Sequence, residues 1–122
     1  MDTVGAVCSA QDILQLQQLV KTVYCSPEVR SYIVSLCAAT RESPALELGA
    51  STRAAISLCR ASQAAALLSG RDFIVPEDVQ SLAGYIIPHR LVLSADSRMR
   101  GLTGEDILSK ILSSVRVPVK VR

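Results

Sequence analysis

One arginine in this chain of 122 residues stands where a positive charge is least favourable on a helix. The run Gly49-Ala50-Ser51-Thr52-Arg53 is typical of a glycine turn, a capping serine and a helix that begins with an arginine in its first turn. A helix N-terminus carries partial positive charge and free N–H groups, so Arg53 gains nothing from its own helix. A phosphate bound at the turn would supply the missing anion. The alternative is an ordinary solvated arginine near a helix start.

The helix that begins at this turn is predicted to run from Ser51 to Ser69, and Gly70 ends it. Its sequence is rich in alanine and apolar nearly all round, which predicts a helix buried on most sides in the middle of a bundle. Arg53 and Arg60 are the only charged residues along it. They are seven positions apart, so they share one face and give the helix a single polar edge.

Capping residues and apolar spacing predict four further helices. They run from Ser9 to about Thr22, from Ser26 past Arg41, from Pro76 to the residue before Pro88, and from Thr103 to about Ser114. In the first of them an apolar stripe is expected to contact the core; it consists of Ile13, Leu16, Val20 and Val23. The expected fold is a small all-α bundle of four to five helices.

The connecting segments give weaker signals. Residues 43–50 are predicted to be a loop that places Arg53, and residues 94–102 a polar loop with Arg98 and Arg100. Two short β-prone runs, residues 73–75 and 91–93, either pair as a minimal two-stranded ribbon or stay extended.

The composition supports a helical fold and a single domain. Hydrophobic residues make up 49% of the chain and aromatic residues only 3%, so the core must consist of aliphatic side chains and alanine. The net charge of +2 is too small to indicate nucleic-acid binding by itself, although residues 90–122 hold seven Lys and Arg against three Asp and Glu. No apolar run approaches the roughly 20 residues that a membrane span needs.

The cysteines and the single histidine predict no metal site. Cys8, Cys25, Cys37 and Cys59 are widely spaced without a Cys-x-x-Cys pair, and His89 has no partner for a zinc set. Cys37 and Cys59 fall in apolar helical stretches, where cysteine behaves as a small hydrophobe. The pattern indicates free thiols in a reducing cytoplasm. His89 is expected to be structural.

Several segments together resemble the C-terminal lid of AAA+ ATPases of the MoxR family. The resemblance rests on residues 32–41, the turn at 49–53, residues 70–79 and residues 88–91, in that order, and it extends over about residues 9–118. In that family the turn reads glycine-alanine-serine-proline-arginine, and its arginine, called sensor 2, maps onto Arg53. Thr52 stands here in place of the proline, which keeps the turn with a less rigid entry.

The resemblance implies a nucleotide site completed by another domain. An AAA+ core would bind ATP and magnesium, and this domain would close over them, with Arg53 acting on the γ-phosphoryl group. Gly49, Ala50 and Ser51 would line the nucleotide, and Tyr32 and Ile33 would lie near the adenine. The chain has no phosphate-binding loop, because none of its six glycines is followed by lysine. We therefore expect neither ATP hydrolysis nor a cofactor for this chain alone.

The resemblance also implies partners. These are the chain's own AAA+ core, neighbouring subunits of a ring, and client proteins such as those with von Willebrand factor A domains; whether Arg53 would serve its own or a neighbouring subunit stays open. Residues 9–118 are the expected lid, in which the first helix resembles the link to the core. Residues 1–8 are expected to be disordered or artificially added, and residues 119–122 to fray. The alternative is a free-standing helical interaction module that binds nucleic acid, and an independent enzyme finds no catalytic set.

Overall fold

The computed structural model describes residues 9–119. In chain order its elements are α1 (Ala10–Val20), α2 (Pro27–Glu42), β1 (Leu46–Leu48), α3 (Thr52–Leu68), α4 (Pro76–Ile86), a 3-10 turn (Pro88–Arg90), β2 (Val92–Leu93), α5 (Ala95–Met99) and α6 (Gly104–Ser114). The prediction of an all-α bundle with a minimal ribbon is confirmed, with six helices in the described range instead of four or five. The predictions for residues 1–8 and 120–122 lie outside the described residues.

The helices begin where the sequence places capping residues. Ser9 and Asp12 bond each other's backbone N–H groups at the start of α1, with distances of 3.2 and 2.9 Å. Thr103 and Asp106 repeat this arrangement at α6. The Ser26 hydroxyl accepts a hydrogen bond from the Val29 N–H at α2. These side chains satisfy N–H groups that a helix start leaves without partners, which is why the predicted boundaries agree closely with the structure.

Helix α3 packs against α1, α2 and α4, but it is less buried than its sequence predicted. One stripe along it is buried, formed by Ala54, Leu58, Ser62 and Ala66. The side chain of Ile56, on another face, is 52% exposed. The prediction of burial on most sides is therefore wrong, because alanine-rich faces look apolar in the sequence whether or not a neighbour covers them.

The apolar stripe predicted for α1 does not contact the core. No residue of α1 is buried, and Ile13 and Leu16 are 47% and 46% exposed. Only Val23, beyond the end of the helix, is buried. The spacing identified the helix correctly, but no other described element covers its apolar side.

The two-stranded ribbon forms between different segments than predicted. β1 lies within the predicted loop 43–50 and pairs antiparallel with β2, with Leu46 opposite Leu93 and Leu48 opposite Val92. Residues 73–75 do not join it; Phe73 forms a single bridge with Tyr24 instead. The short run Leu46-Glu47-Leu48 alternates in the way a strand does, but three residues are too few for that pattern to stand out.

Residues 94–102 contain a short helix, α5, where a polar loop was predicted. The Ser94 hydroxyl accepts from the Ser97 N–H, and the buried Ser97 hydroxyl donates to the Ala45 carbonyl oxygen at 2.8 Å. The Ser94 N–H donates to the same carbonyl. These contacts fasten α5 beside β1, so tertiary contacts stabilise a helix of only five residues.

A bidentate ion pair joins the segment after α3 to the start of α4. Both guanidinium nitrogens of Arg71 lie 2.8 Å from the Asp78 carboxylate oxygens, and the Val75 N–H donates to the same carboxylate at 3.0 Å. Burial acts to raise the pKa of Asp78, but the hydrogen bonds from Arg71 and Val75 and the Arg71 charge outweigh it, so that pKa lies below its ordinary value. The carboxylate is thus ionised in the folded state and locks this corner.

Replacing Asp78 tests this corner through the pH dependence of stability. We expect Asp78→Asn to lower the free energy of unfolding by roughly 2 kcal/mol at pH 7, because Arg71 and the Val75 N–H lose a charged acceptor. Since the folded pKa is depressed, this stabilisation is complete above the unfolded pKa of about 4 and is lost as the pH falls through the folded pKa. Urea unfolding from pH 7 down to about pH 2 would show the two proteins converging in acid.

The matched control is Asp96→Asn. Asp96 and Arg100 also form an ion pair, at 3.2 Å, but their side chains are 75% and 70% exposed. An exposed pair contributes little, so this variant should unfold like the original chain across the pH range. A stability loss in Asp78→Asn that is the same at pH 2 and pH 7 would contradict the role given to its charge.

Candidate functional site

The turn before α3 lies directly on the end of α2. A side chain at Gly49 would place its Cβ 2.5 Å from the Arg41 backbone nitrogen and 2.6 Å from the Thr40 carbonyl carbon. Backbone atoms cannot move aside as a flexible side chain can, so only glycine permits this approach. Gly49 is therefore required by packing at this turn.

Thr40 fixes the turn by a buried hydrogen bond. Its hydroxyl accepts from the Ala50 N–H at 2.8 Å and donates to the Cys37 carbonyl oxygen at 2.6 Å. Thr40 and Ala50 are both fully buried. A buried N–H group without an acceptor is costly, so this hydroxyl ties the beginning of α3 to the end of α2.

Ser51 caps α3 as its sequence predicted. Its hydroxyl accepts from the Ala54 N–H at 3.3 Å, and its carbonyl accepts from the Ala55 N–H. The N–H groups of Thr52 and Arg53 have no hydrogen-bond acceptor among the described residues. Two donors at the positive end of the helix therefore stay available to a ligand.

The Arg53 side chain is exposed and has neither a hydrogen bond nor an ion pair within residues 9–119. Each of the other five α-helices described here has an acidic residue in its first turn: Asp12, Glu28, Glu77 and Asp78, Asp96, and Glu105 and Asp106. Helix α3 has none there. Its N-terminus therefore combines the helix dipole with a full positive charge and no compensating anion.

Tyr32 and Ile33 are buried in the bundle, with 3% and 2% of their surfaces exposed. The Tyr32 hydroxyl accepts a hydrogen bond from the Gln80 side chain at 3.2 Å, which ties α2 to α4. Ile33 also contributes to the wall of a groove beside the α3 N-terminus. The contact of these two residues with adenine stays a prediction.

That groove, of about 880 Å³, runs between α1, α2 and α3. Its lining comprises Gln17, Gln18, Val20 and Lys21 on or just after α1, Arg30, Ile33 and Val34 on α2, and Thr52, Ala55, Ile56, Cys59, Arg60, Gln63 and Ala64 on α3. Most of its surface is apolar, as is usual for ligand sites. It begins at Thr52, next to Arg53, so the groove and the candidate turn form one continuous surface.

The groove is positively charged. Lys21, Arg30 and Arg60 line it, and no acidic residue does. Arg53 and Arg60 lie on the same side of α3, both exposed, as their spacing predicted. The arrangement suits a ligand or partner that combines apolar surface with negative charge.

Two further searches cover only the described residues. No group of three or more His, Cys, Asp or Glu side chains in that range is placed to hold a metal ion. None of the helices there combines the length and the hydrophobicity that a membrane crossing requires.

Sequence reasoning missed two parts of this site. Thr40 was assigned only to the apolar face of α2, although its hydroxyl holds the turn. The cations Lys21 and Arg30 come from residues that the sequence pattern did not connect with α3. A buried threonine ten positions before a Gly-Ala turn is the signal that a sequence could have offered.

Comparison with known proteins identifies the domain. Residues 38–111 match the family model described as the AAA lid domain. This chain is 38% identical over 98% of its length to protein YeaC of Bacillus subtilis, and 29% identical over 92% to the chaperone MoxR1 of Mycobacterium tuberculosis. A crystal structure from Cytophaga hutchinsonii, described as a presumed ATPase, superposes with a TM-score of 0.84 at 32% identity over 88% of this chain.

The chain belongs to the AAA lid domain family, among relatives of MoxR type. It spans 38% of YeaC, 32% of MoxR1 and 36% of the superposed crystal structure's chain, so it is about a third as long as the proteins it matches. The predicted resemblance is thereby confirmed.

Thr40→Val tests whether the buried hydroxyl fixes the turn. Valine has the same shape but leaves the Ala50 N–H without an acceptor, so we expect the free energy of unfolding to fall by about 1–3 kcal/mol. Amide hydrogen exchange at Ala50 should also accelerate, because its N–H loses its hydrogen bond. Chemical unfolding and exchange measured by NMR would give both quantities.

Thr22→Val is the matched control. The Thr22 hydroxyl also bonds a backbone carbonyl, that of Leu19 at 2.6 Å, but it is exposed and holds no second element. Its replacement should change stability by less than about 0.5 kcal/mol. Equal losses in both variants would mean that the Thr40–Ala50 bond contributes nothing special to the turn.

Proposed function

We propose that this domain closes over ATP bound by the core of a MoxR-type AAA+ ATPase and that Arg53 is its sensor 2 arginine. The core would supply the phosphate-binding loop and hold magnesium. The observation that supports the proposal most is the exposed, unpaired Arg53 on a turn that Thr40 and Gly49 hold rigid. AAA+ relatives imply the nucleotide, and the geometry offers a cation for it.

The proposed role of Arg53 is electrostatic. Negative charge on the transferring γ-phosphoryl group and its neighbours favours a preorganised guanidinium, which can bond two oxygens at once. The free N–H groups of Thr52 and Arg53 would add weaker donors beside it. Because the turn is fixed before nucleotide arrives, little reorganisation would be needed at the moment of reaction.

The rest of the nucleotide would lie along the turn and the groove. Gly49, Ala50 and Ser51 would contribute backbone close to the phosphates, and Ile33 would offer apolar surface toward the base. For Tyr32 a direct contact with adenine would require its ring to face outward, so we assign it a supporting place behind Ile33. After hydrolysis, loss of the Arg53 contact would let the lid rotate relative to the core.

Helix α1 supports the proposal that further parts of a larger protein pack here. Four of its large apolar side chains are about half exposed or more: Ile13, Leu14, Leu16 and Leu19. Such a continuous apolar helix surface is costly in water and marks a contact site. We propose that the ATPase core covers it, which agrees with the greater length of the relatives.

The assembly and location of the whole protein are proposals from its relatives. A ring of subunits, each lid contacting a neighbour, and a chaperone-like action on client proteins follow from the name of MoxR1, a chaperone. Clients with von Willebrand factor A domains and a cytoplasmic location stay predictions. No observation on the described residues favours the alternative of a nucleic-acid-binding module.

Arg53→Ala in the full-length ATPase tests the central role. We expect steady-state ATP hydrolysis to fall by about tenfold to a thousandfold, the range typical of losing one electrostatic contact to the transition state. The side chain is exposed and unpaired, so the melting temperature of the 122-residue chain should be unchanged. A coupled ATPase assay and circular dichroism would measure the two effects.

Arg98→Ala is the matched control, since it removes an exposed arginine from a different helix, α5. Its ATPase rate should equal that of the original protein. Undiminished hydrolysis in Arg53→Ala would reject the sensor 2 assignment. Loss of helicity in the Arg53→Ala chain would instead give this residue a structural role.

A double variant on α1 tests the proposed contact with the core. In the 122-residue chain, Ile13→Gln with Leu16→Gln should change stability little, because both side chains are already half exposed. In the full-length protein the same change should lower the melting temperature of the ATPase, since buried apolar contacts would be lost. Equal behaviour of the two proteins in thermal unfolding would show that the core does not cover this surface.

A further inference from the structure

Two cysteines that are far apart in the sequence lie together in the structure. Cys25 precedes the first turn of α2 and Cys59 lies in the middle of α3, and their side chains hydrogen-bond to each other. Neither forms a disulfide, and both are only half buried. The sequence pattern did not predict this pair, because 33 residues separate its members and no Cys-x-x-Cys motif is present.

Hydrogen bonds around the pair hold it in place. The Gln63 side chain, one turn beyond Cys59 on α3, donates to the Val23 carbonyl oxygen at 3.0 Å. The segment that holds Cys25 is also bonded at Tyr24, whose N–H donates to the Asp72 carbonyl oxygen at 2.8 Å. The contact between the two sulfurs therefore belongs to a fixed junction of three segments.

The pair lies beside solvent and positive charge. Cys59 lines the groove described above, together with Arg30 and Arg60. Arg30 also donates a hydrogen bond to the Cys25 carbonyl oxygen at 3.3 Å. A small oxidant can thus reach the Cys59 sulfur through the groove, and two guanidinium groups favour a negative charge there.

The two thiols differ in acidity. The hydrogen bond from Cys25 and the nearby Arg30 and Arg60 charges lower the pKa of the Cys59 thiol to about 6, although burial opposes this. The hydrogen bond to Cys59 and burial raise the pKa of Cys25. Cys59 is therefore the thiolate and Cys25 the proton-bearing partner, the division of roles found in redox-sensitive pairs.

We propose that Cys25 and Cys59 form a peroxide-responsive dithiol that closes to an intramolecular disulfide at the wall of the groove. Cys59 is the attacking sulfur and Cys25 the resolving one. The disulfide joins the segment before α2 to the middle of α3, so it alters the surface next to Arg60. This inference stands on the two sulfurs and does not depend on the function proposed for Arg53.

The chemistry balances with hydrogen peroxide as the oxidant. The Cys59 thiolate attacks one peroxide oxygen; a sulfur–oxygen bond forms, the oxygen–oxygen bond breaks, and the departing hydroxide takes a proton to become water. Cys25 gives up its proton and attacks the resulting sulfenic acid; the sulfur–sulfur bond forms, the sulfur–oxygen bond breaks, and a second water leaves. Two thiols lose two electrons and the peroxide gains them.

Cys25 becomes more reactive as the first step proceeds. Its pKa is raised chiefly by the hydrogen bond to the Cys59 sulfur, and oxidation of that sulfur removes this bond. The two sulfurs must approach to about 2 Å, which side-chain rotation at the already touching pair can provide together with small shifts of the segment before α2.

Trypsin makes the test direct, because the four cysteines fall in four different peptides: residues 1–21, 22–30, 31–41 and 54–60. The reduced 122-residue chain is treated with hydrogen peroxide, remaining thiols are blocked with iodoacetamide, and the digest is analysed by mass spectrometry. We expect peptide 22–30 linked to peptide 54–60, with the link lost on reduction. Linkage of other peptides only, or Cys59 oxidised to sulfinic acid with Cys25 still reduced, would overturn the proposal.

Three variants sharpen the result. In Cys25→Ser the disulfide cannot form, so Cys59 should accumulate as a sulfenic acid that reacts with dimedone. Cys37→Ser is the matched control, since Cys37 is buried and burial raises the pKa of its thiol; this variant should form the link at the normal rate. Cys59→Ser should leave Cys25 reacting with peroxide at least about tenfold more slowly than Cys59 does in the original chain.

Circular dichroism of each variant confirms that it is folded, and Cys25→Ala replaces Cys25→Ser should the serine variant lose its helical signal. Absence of dimedone-reactive Cys59 in a folded Cys25 variant would contradict the order of steps. Loss of the link in folded Cys37→Ser would contradict the pairing itself.

Discussion

The buried hydrogen bond between the Thr40 hydroxyl and the Ala50 N–H determines where the candidate site lies. It joins the end of α2 to the start of α3 at the point where Gly49 brings the two backbones together. The direction in which Arg53 leaves the bundle follows from this junction. A flexible linker would allow the same arginine to fold back onto the nearest carboxylate, and its charge would then be neutralised within the domain.

The electrostatics of α3 are the reverse of those of its neighbours. The other helices place acids at their N-termini, where the helix dipole favours them, and so gain a little stability. Helix α3 instead places an arginine beside unbonded N–H groups, which costs stability in the isolated domain. Local rules of sequence and structure are most often broken at functional sites, and this exception coincides with the groove that Lys21, Arg30 and Arg60 make positive.

The distribution of apolar surface fits a domain that belongs to a longer protein. The core between α2, α3, α4 and α6 is closed, with Leu36, Leu58 and Leu108 fully buried or nearly so. Helix α1, by contrast, has caps and apolar spacing as good as those of its neighbours but buries none of its residues. Its sequence is consistent with a helix that packs on two sides, of which this chain supplies one, the contact with α3.

The sequence by itself determined the helices, their capped ends and the turn at Gly49 to Arg53, because caps, prolines and apolar periodicity act over three or four residues. It also determined the family, since several segments match in order. The tertiary structure alone decided the pairing of β1 with β2, the short α5, the exposure of α1 and the contact between Cys25 and Cys59. Each of these depends on contacts between segments distant in the chain, whose strength lies in packing and hydrogen bonds that no local pattern encodes.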